Sequence, residues 1–198
     1  MANGEENLGN GRGGIRIVQV APHQVPAWTS EDRSFVVHSE LVLQLTEGRL
    51  GYAVVPVPLY VKTYADGPHG AGPGDSAYDG ALAGEAVHSF VAHLDGQPAG
   101  GMDLSRHWSG HASIDDVLVA QAFRRKGVAR ALVVHAIAWS HARQLAGVVL
   151  ETQNNNVAAC RLYAACGFEL RRFDADLYRG LAPGTREVAL FWYWRARR

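Results

Sequence analysis

At 198 residues the chain is long enough for one domain of ordinary size and can bury most of its apolar surface without a metal or disulfide scaffold. Lys plus Arg number 19 and so do Asp plus Glu, giving a formal net charge of zero. No overall field gathers nucleic acid or an anionic membrane, so neither is expected as a partner, and any charged ligand must be held by a local site.

Residues 1–14 (MANGEENLGNGRGG) are polar and Gly-rich with no apolar signal core, and no later run approaches a membrane span. They read as a flexible leader to a soluble, cytoplasmic domain over 15–198. Ile15 to Val20 (IRIVQV) alternates like a first edge strand, and Ala21 to Pro26 carries the breakers that end it. From Phe35, FVVHSELVLQLTEGRLGYAVVPV reads as two β-rich stretches around Glu47-Gly48, a hairpin-like excursion. PLYVKTY follows, and Pro56 and Pro58 at this junction argue for an edge or irregular strand.

Residues 65–84 are dominated by Gly, Pro, Asp and Ala and predict a long surface loop. VHSFVAHL and AGGMDLS are strands joined through Asp95-Gly96, a dipeptide suited to a tight turn. Another strand runs from about Ala112 to Val119. Lys126 to Arg143 carries Val128, Leu132, Val133 and Ile137 at helical spacing. Val148 to Thr152 is a short buried strand, and Val157 to Ala165 an Ala-rich helix stopped by Gly167. Val188 to Trp194 (VALFWYW) is a β-prone closing strand, either buried internally or paired across a homodimer. Antiparallel strands followed by strand, helix, strand, helix, strand, strand predict an α/β fold with a mixed sheet.

The chemistry concentrates in IDDVLVAQAFRRKGVARALVV, where a strand enters a basic, Gly-containing turn and then a long helix. A helix N-terminus presents unpaired N–H groups and partial positive charge, so such a turn suits an anion, and pyrophosphate fits it. At Gly127 and Ala129 larger side chains would block close approach to the backbone, while Arg124, Arg125 and Lys126 add charge. GxxxxGK[ST] is absent, and so is GxGxxG after a strand. A basic helix start is also a common solvated face.

Arg124-Arg125-Lys126-Gly127-Val128-Ala129 resembles the [QR]xxGx[GA] acetyl-CoA signature of the GNAT superfamily of N-acetyltransferases. About 30 residues on, Asn156, Ala159, Leu162, Tyr163, Gly167 and Phe168 fit that family's NxxAxxLYxxxGF pattern. The stretch from Ser34 to Tyr64, Trp108 and DADLYRG (174–180) are similar to streptothricin acetyltransferases, which acetylate an amine on the β-lysine part of an antibiotic. The likeness implies a mixed, mostly antiparallel sheet of about seven strands flanked by helices. Two parallel strands would splay at the acetyl-CoA site.

It further implies that acetyl-CoA is the donor and a small cationic amine the acceptor, with no metal. Val117 and Val119 would pair with pantetheine through the main chain, amides from Arg125 to Arg130 would hold the pyrophosphate, and Asn156 would touch the pantetheine arm. Arg124 is the residue whose side chain the signature singles out. An amine with a pKa of about 10 must lose a proton before it attacks the thioester. Asp116 is the preferred base or substrate anchor, with Asp115 and Glu151 as rivals. Strand alternation predicts that only one of the paired aspartates faces the thioester.

Tyr163 matches the tyrosine that protonates the departing thiolate, although a tyrosine on an Ala-rich helix can equally be packing. Phe35, Glu40 and Trp108 are candidates for the acceptor site. Cys160 and Cys166, six apart, match neither a metal pair nor a CxxC pair and read as free thiols. The nine His residues form no metal-ligand spacing. Two alternatives stay open: a different amine acceptor, or an acetyl-CoA-binding module without turnover.

Overall fold

The computed structural model describes residues 14–29, 31–64, 86–180 and 182–196. The leader 1–14, apart from its last residue, and the loop 65–84 lie outside the described residues. Among the described residues nine strands and two α-helices follow in chain order: β1 (Arg16–Val20), β2 (Ser34–Thr46), β3 (Arg49–Thr63), β4 (His88–Leu94), β5 (Gln97–Arg106), β6 (Ala112–Val119), α1 (Val128–Ala142), β7 (Gly147–Gln153), α2 (Val157–Ala165), β8 (Glu169–Asp174) and β9 (Ala189–Arg195).

Seven of the strands form one sheet in the order β1-β4-β5-β6-β7-β9-β8. β6 and β7 are parallel and every other neighbouring pair is antiparallel. The parallel step follows from α1, because a crossover of helical length returns the chain in its starting direction. β1 is an edge strand, as its alternation predicts. The closing strand is internal: β9 has β7 on one side and β8 on the other, so neither of its edges is left for a dimer partner. β8, counted in the sequence but given no boundaries there, follows the Gly167 stop and forms the far edge.

Both tight turns behave as their dipeptides require. Glu47 and Gly48 have φ of 50° and 73°, and Asp95 and Gly96 have 52° and 78°, the left-handed pairs that match strand twist in two-residue hairpins. The β2–β3 excursion is a long hairpin that forms its own two-stranded sheet. Its register jumps from Val37↔Tyr60 to Ser39↔Pro56, so the irregularity falls at the two prolines, which cannot donate to the ladder.

Leu132, Val133 and Ala136 of α1 and Val157, Cys160 and Tyr163 of α2 pack with Leu104, Ile114, Leu150, Leu190 and Trp192 of the sheet in one core. The hairpin joins it through Leu41, which is buried in the same cluster, and through Tyr52, whose ring meets Trp192 edge-on at 6.0 Å. Asn154 ties the hairpin to the C-terminal strand region. The Leu41 N–H donates to its carbonyl at 2.8 Å, while its own N–H donates to the Val188 carbonyl at 3.0 Å and its side-chain oxygen accepts the Val188 N–H at 2.9 Å. No helix among the described residues is long and apolar enough to cross a membrane.

Candidate active site

Parallel pairing between β6 and β7 covers only Ala112 to Ile114 against Val148 to Leu150. On the other side of β6, Asp103 pairs with Asp116 but Leu104 pairs with Ile114, so Asp115 is one extra residue in its strand. Such a bulge bends a strand and raises its twist. Beyond it β6 leaves β7, and a cavity of about 550 Å³ opens, with Val117 and Val119 on one wall and Leu150 on the other. The bulge also corrects the alternation argument. Asp115 and Asp116 both line the cavity, because the extra residue breaks the two-residue period between them.

The helix end of the cavity has the form expected of an anion site. Gly127 caps α1 with φ of 88°, Arg125 before it is also left-handed at 63°, and no side chain caps the helix or places an acid in its first turn. The first intrahelical bond runs from the Ala131 N–H to the Gly127 carbonyl at 3.0 Å. The amides of Val128, Ala129 and Arg130 therefore precede any helical acceptor. A Cβ on Gly127 would meet only the Ile15 Cδ1, at 3.9 Å, so the protein itself leaves the space above the turn open. Arg125 and Arg130 line the cavity, while Lys126 lies over the Phe123 ring at 5.2 Å and is not among the lining residues. The Val128 side chain is buried in the core. This turn fits a pyrophosphate, and the splayed strand beside it offers main chain to a pantetheine.

Arg124 lines the cavity, but its guanidinium is directed at main-chain carbonyls. Nε donates to Val119 at 3.2 Å, Nη1 to Ser34 at 2.7 Å, and Nη2 to Glu31 at 3.3 Å and Asp32 at 2.5 Å. The Asp32 carboxylate completes the junction by accepting from the Gln121 N–H at 2.7 Å and from the N–H and hydroxyl of Thr29 at 3.0 Å. Burial opposes its ionisation, but those hydrogen bonds and the charge of Arg124 outweigh it and hold the carboxyl below the usual aspartate range.

The remaining lining of the cavity is largely aromatic and acidic. Phe35 packs on Tyr64 with ring centroids 5.6 Å apart. Arg33 approaches Asp116 at 3.8 Å. A directed chain of hydrogen bonds runs from Asn156 Nδ2 to the Tyr64 hydroxyl at 3.2 Å and from that hydroxyl to Gln153 Oε1 at 2.5 Å. It continues from Gln153 Nε2 to the Tyr178 hydroxyl at 2.9 Å and ends with that hydroxyl donating to Glu151. Glu151 and Gln153, two apart on β7, share a face. That spacing was readable in the sequence, whereas the arrival of Tyr64 from the hairpin and of Arg33 carried no local signal.

Asn156 also caps α2, its side-chain oxygen accepting the Ala159 N–H at 3.2 Å. Tyr163 lines the cavity and is otherwise buried, packed near Phe168 and Trp192. Burial, reinforced by Tyr64, Cys160, Glu151 and Asp116, raises its phenol well above the ordinary value, so it keeps its proton at physiological pH. Cys160 is buried and its thiol is pushed up to about 12, chiefly by desolvation, which removes it as a nucleophile. Among the described residues no group of His, Cys, Asp and Glu could hold a metal ion.

Two of the acceptor candidates are not brought to the cavity. Phe35, Val37, Ser39 and Leu41 share the inward face of β2, which leaves Glu40 on the other. Trp108 lies in the β5–β6 turn, at the end of β6 away from Val119; it is 63% exposed and stacks on His107.

The acetyltransferase (GNAT) family model matches residues 58–168. A streptothricin acetyltransferase of Escherichia coli is 34% identical over 177 residues, covering 89% of this chain and 94% of the relative. Streptothricin acetyltransferase A of Bacillus subtilis is 36% identical over 56% of this chain and 64% of its own. Among solved structures, a Bacillus anthracis protein assigned as a streptothricin acetyltransferase, in complex with acetyl coenzyme A, superposes with a TM-score of 0.76 at 31% identity, covering 93% and 98% of the two chains. A nourseothricin acetyltransferase does so with a TM-score of 0.71 at 26% identity over 92% and 99%. The cleft between the splayed strands, the open helix start beside it and these relatives lead to one assignment: the chain belongs to the GNAT family of acetyltransferases and is an enzyme that takes its acetyl group from acetyl-CoA.

Proposed function

We propose that the enzyme acetylates a primary amine on a small cationic molecule of the streptothricin class, within a catalytic unit spanning 15–198. The observation that carries this reading is the mixed lining of one cleft: an uncapped helix start suited to an anion, and Asp115, Asp116 and Glu151 among Phe35, Tyr64 and Tyr178. Carboxylates and aromatic faces are what an ammonium-bearing acceptor requires. The named substrates of the relatives lie in the same class.

In this reading Asp116 anchors the ammonium and takes its proton, with Glu151 the next carboxylate along the cleft. The neutral nitrogen forms a bond to the thioester carbon and the carbon–sulfur bond breaks; Tyr163 donates a proton to the leaving sulfur, and the second proton shed by the acylated nitrogen restores the phenol. The Phe35–Tyr64 pair and the hydrogen-bonded chain ending at Glu151 keep the acceptor wall in place during that exchange. Free thiols at Cys160 and Cys166 agree with a reducing, cytoplasmic setting.

The test is to incubate the purified protein with acetyl-CoA and streptothricin, follow thiol release and weigh the drug. Saturable release with a gain of one acetyl group is expected. Background release, with acetyl-CoA still raising the melting temperature, would transfer the proposal to another amine.

A further inference from the structure

Between Gln24 and Ser34 the described residues form neither helix nor strand, yet this segment delivers Arg33 to the cleft and leads directly into Phe35 of β2, which also lines it. What fixes it there is a reciprocal junction. Arg124 reaches from the loop after β6 to the carbonyls of Glu31, Asp32 and Ser34, while Asp32 reaches back to the Gln121 N–H. A guanidinium has five N–H groups, and carbonyls occupy four of those on Arg124 once Val119 is included. Little donor capacity is left for phosphate. The planar fork matters, since its bonds leave in three directions that one ammonium could not span together.

We propose that Arg124 is a positioning residue for the acceptor wall, clamping residues 31–35 over the cleft, and not a ligand of acetyl-CoA. The proposal rests on the reading that the 31–35 side receives the amine. It separates the arginine from the rest of its signature: Gly127 and the amides of Val128 to Arg130 face the donor, and the first signature residue builds the other wall.

Full-length Arg124→Ala and, independently, Asp32→Ala should show amide hydrogen exchange across 31–35 faster by about tenfold or more, with the rate at 128–131 kept. The acetyl-CoA Kd by calorimetry should stay within about threefold of wild type, while KM for streptothricin rises about tenfold. Arg124→Lys should behave like the alanine variant. An acetyl-CoA Kd weakened about tenfold, with exchange at 31–35 unchanged, would overturn the clamp. If Arg124→Ala fails to fold, the same comparison on Asp32→Ala decides. If the wild-type enzyme does not turn over streptothricin, the acceptor reading falls, and exchange together with the acetyl-CoA Kd still decides the role of Arg124.

Discussion

In the proposed reading the donor wall of the cleft comes from one stretch, Val117 to Arg130, whereas the acceptor wall draws on residues as distant in sequence as Arg33, Tyr64, Asp116, Glu151 and Tyr178. The first works mainly through its main chain: a bulged strand with open edges and a helix start with uncapped amides. The second works through side chains held by one another, as in the run from Asn156 to Glu151. A wall made of backbone tolerates most substitutions but not a change in backbone conformation. A wall made of interlocked side chains can be retuned one residue at a time.

Four experiments press on that contrast. Gly127→Val should be the most damaging, because φ of 88° strains a β-branched residue and the new side chain enters the space left for the anion. Acetyl-CoA affinity by calorimetry should fall about a hundredfold, and unchanged affinity would mean the donor does not use this turn. Tyr163→Phe should lower kcat about tenfold or more and leave acetyl-CoA affinity intact; equal loss of both would return Tyr163 to a packing role.

The third experiment is a pH series. Asp32 has a depressed pKa in the folded protein, so its carboxylate contributes stability above the unfolded value, and the contribution is lost as pH falls through the folded one. The difference in melting temperature between wild type and Asp32→Ala should be constant from neutral pH to about pH 4 and shrink below it. A difference that instead grows in acid would contradict the ionised junction. Smallest of all, Trp108→Ala should leave KM for streptothricin within about twofold, since the ring stands outside the cleft.

How much of this was legible in the sequence follows the same division. The helix start, the parallel strand and the tight turns are local patterns, and Gly127, Asp95-Gly96 and the apolar spacing of α1 announced them. The bulge at Asp115 did not announce itself, because alternation is read from one strand and a bulge exists only relative to its partner. Tyr64 and Arg33 were missed for a related reason: contacts across about 90 residues leave no periodicity behind. Arg124 was found by pattern, but its carbonyl partners at Glu31, Asp32 and Ser34 lie about 90 residues earlier and left no trace in that pattern. Glu40 and Trp108 came from likeness alone, and the facing of β2 and the position of the β5–β6 turn remove them from the cavity.

The bonds of Asn154 impose an order of events on the newborn chain. The β2–β3 hairpin leaves the ribosome early, but Asn154, whose carbonyl receives it, is itself held through its N–H and Oδ1 by Val188, which is translated far later. At about 5–20 residues per second, the wait between Thr63 and Val188 is on the order of ten seconds. Until then its contacts with the last strand, such as Tyr52 against Trp192, are unmade, and its register rests on its own ladder. The left-handed pair at Glu47-Gly48 is thus a local device that sets the pairing of the arm before the last strand arrives.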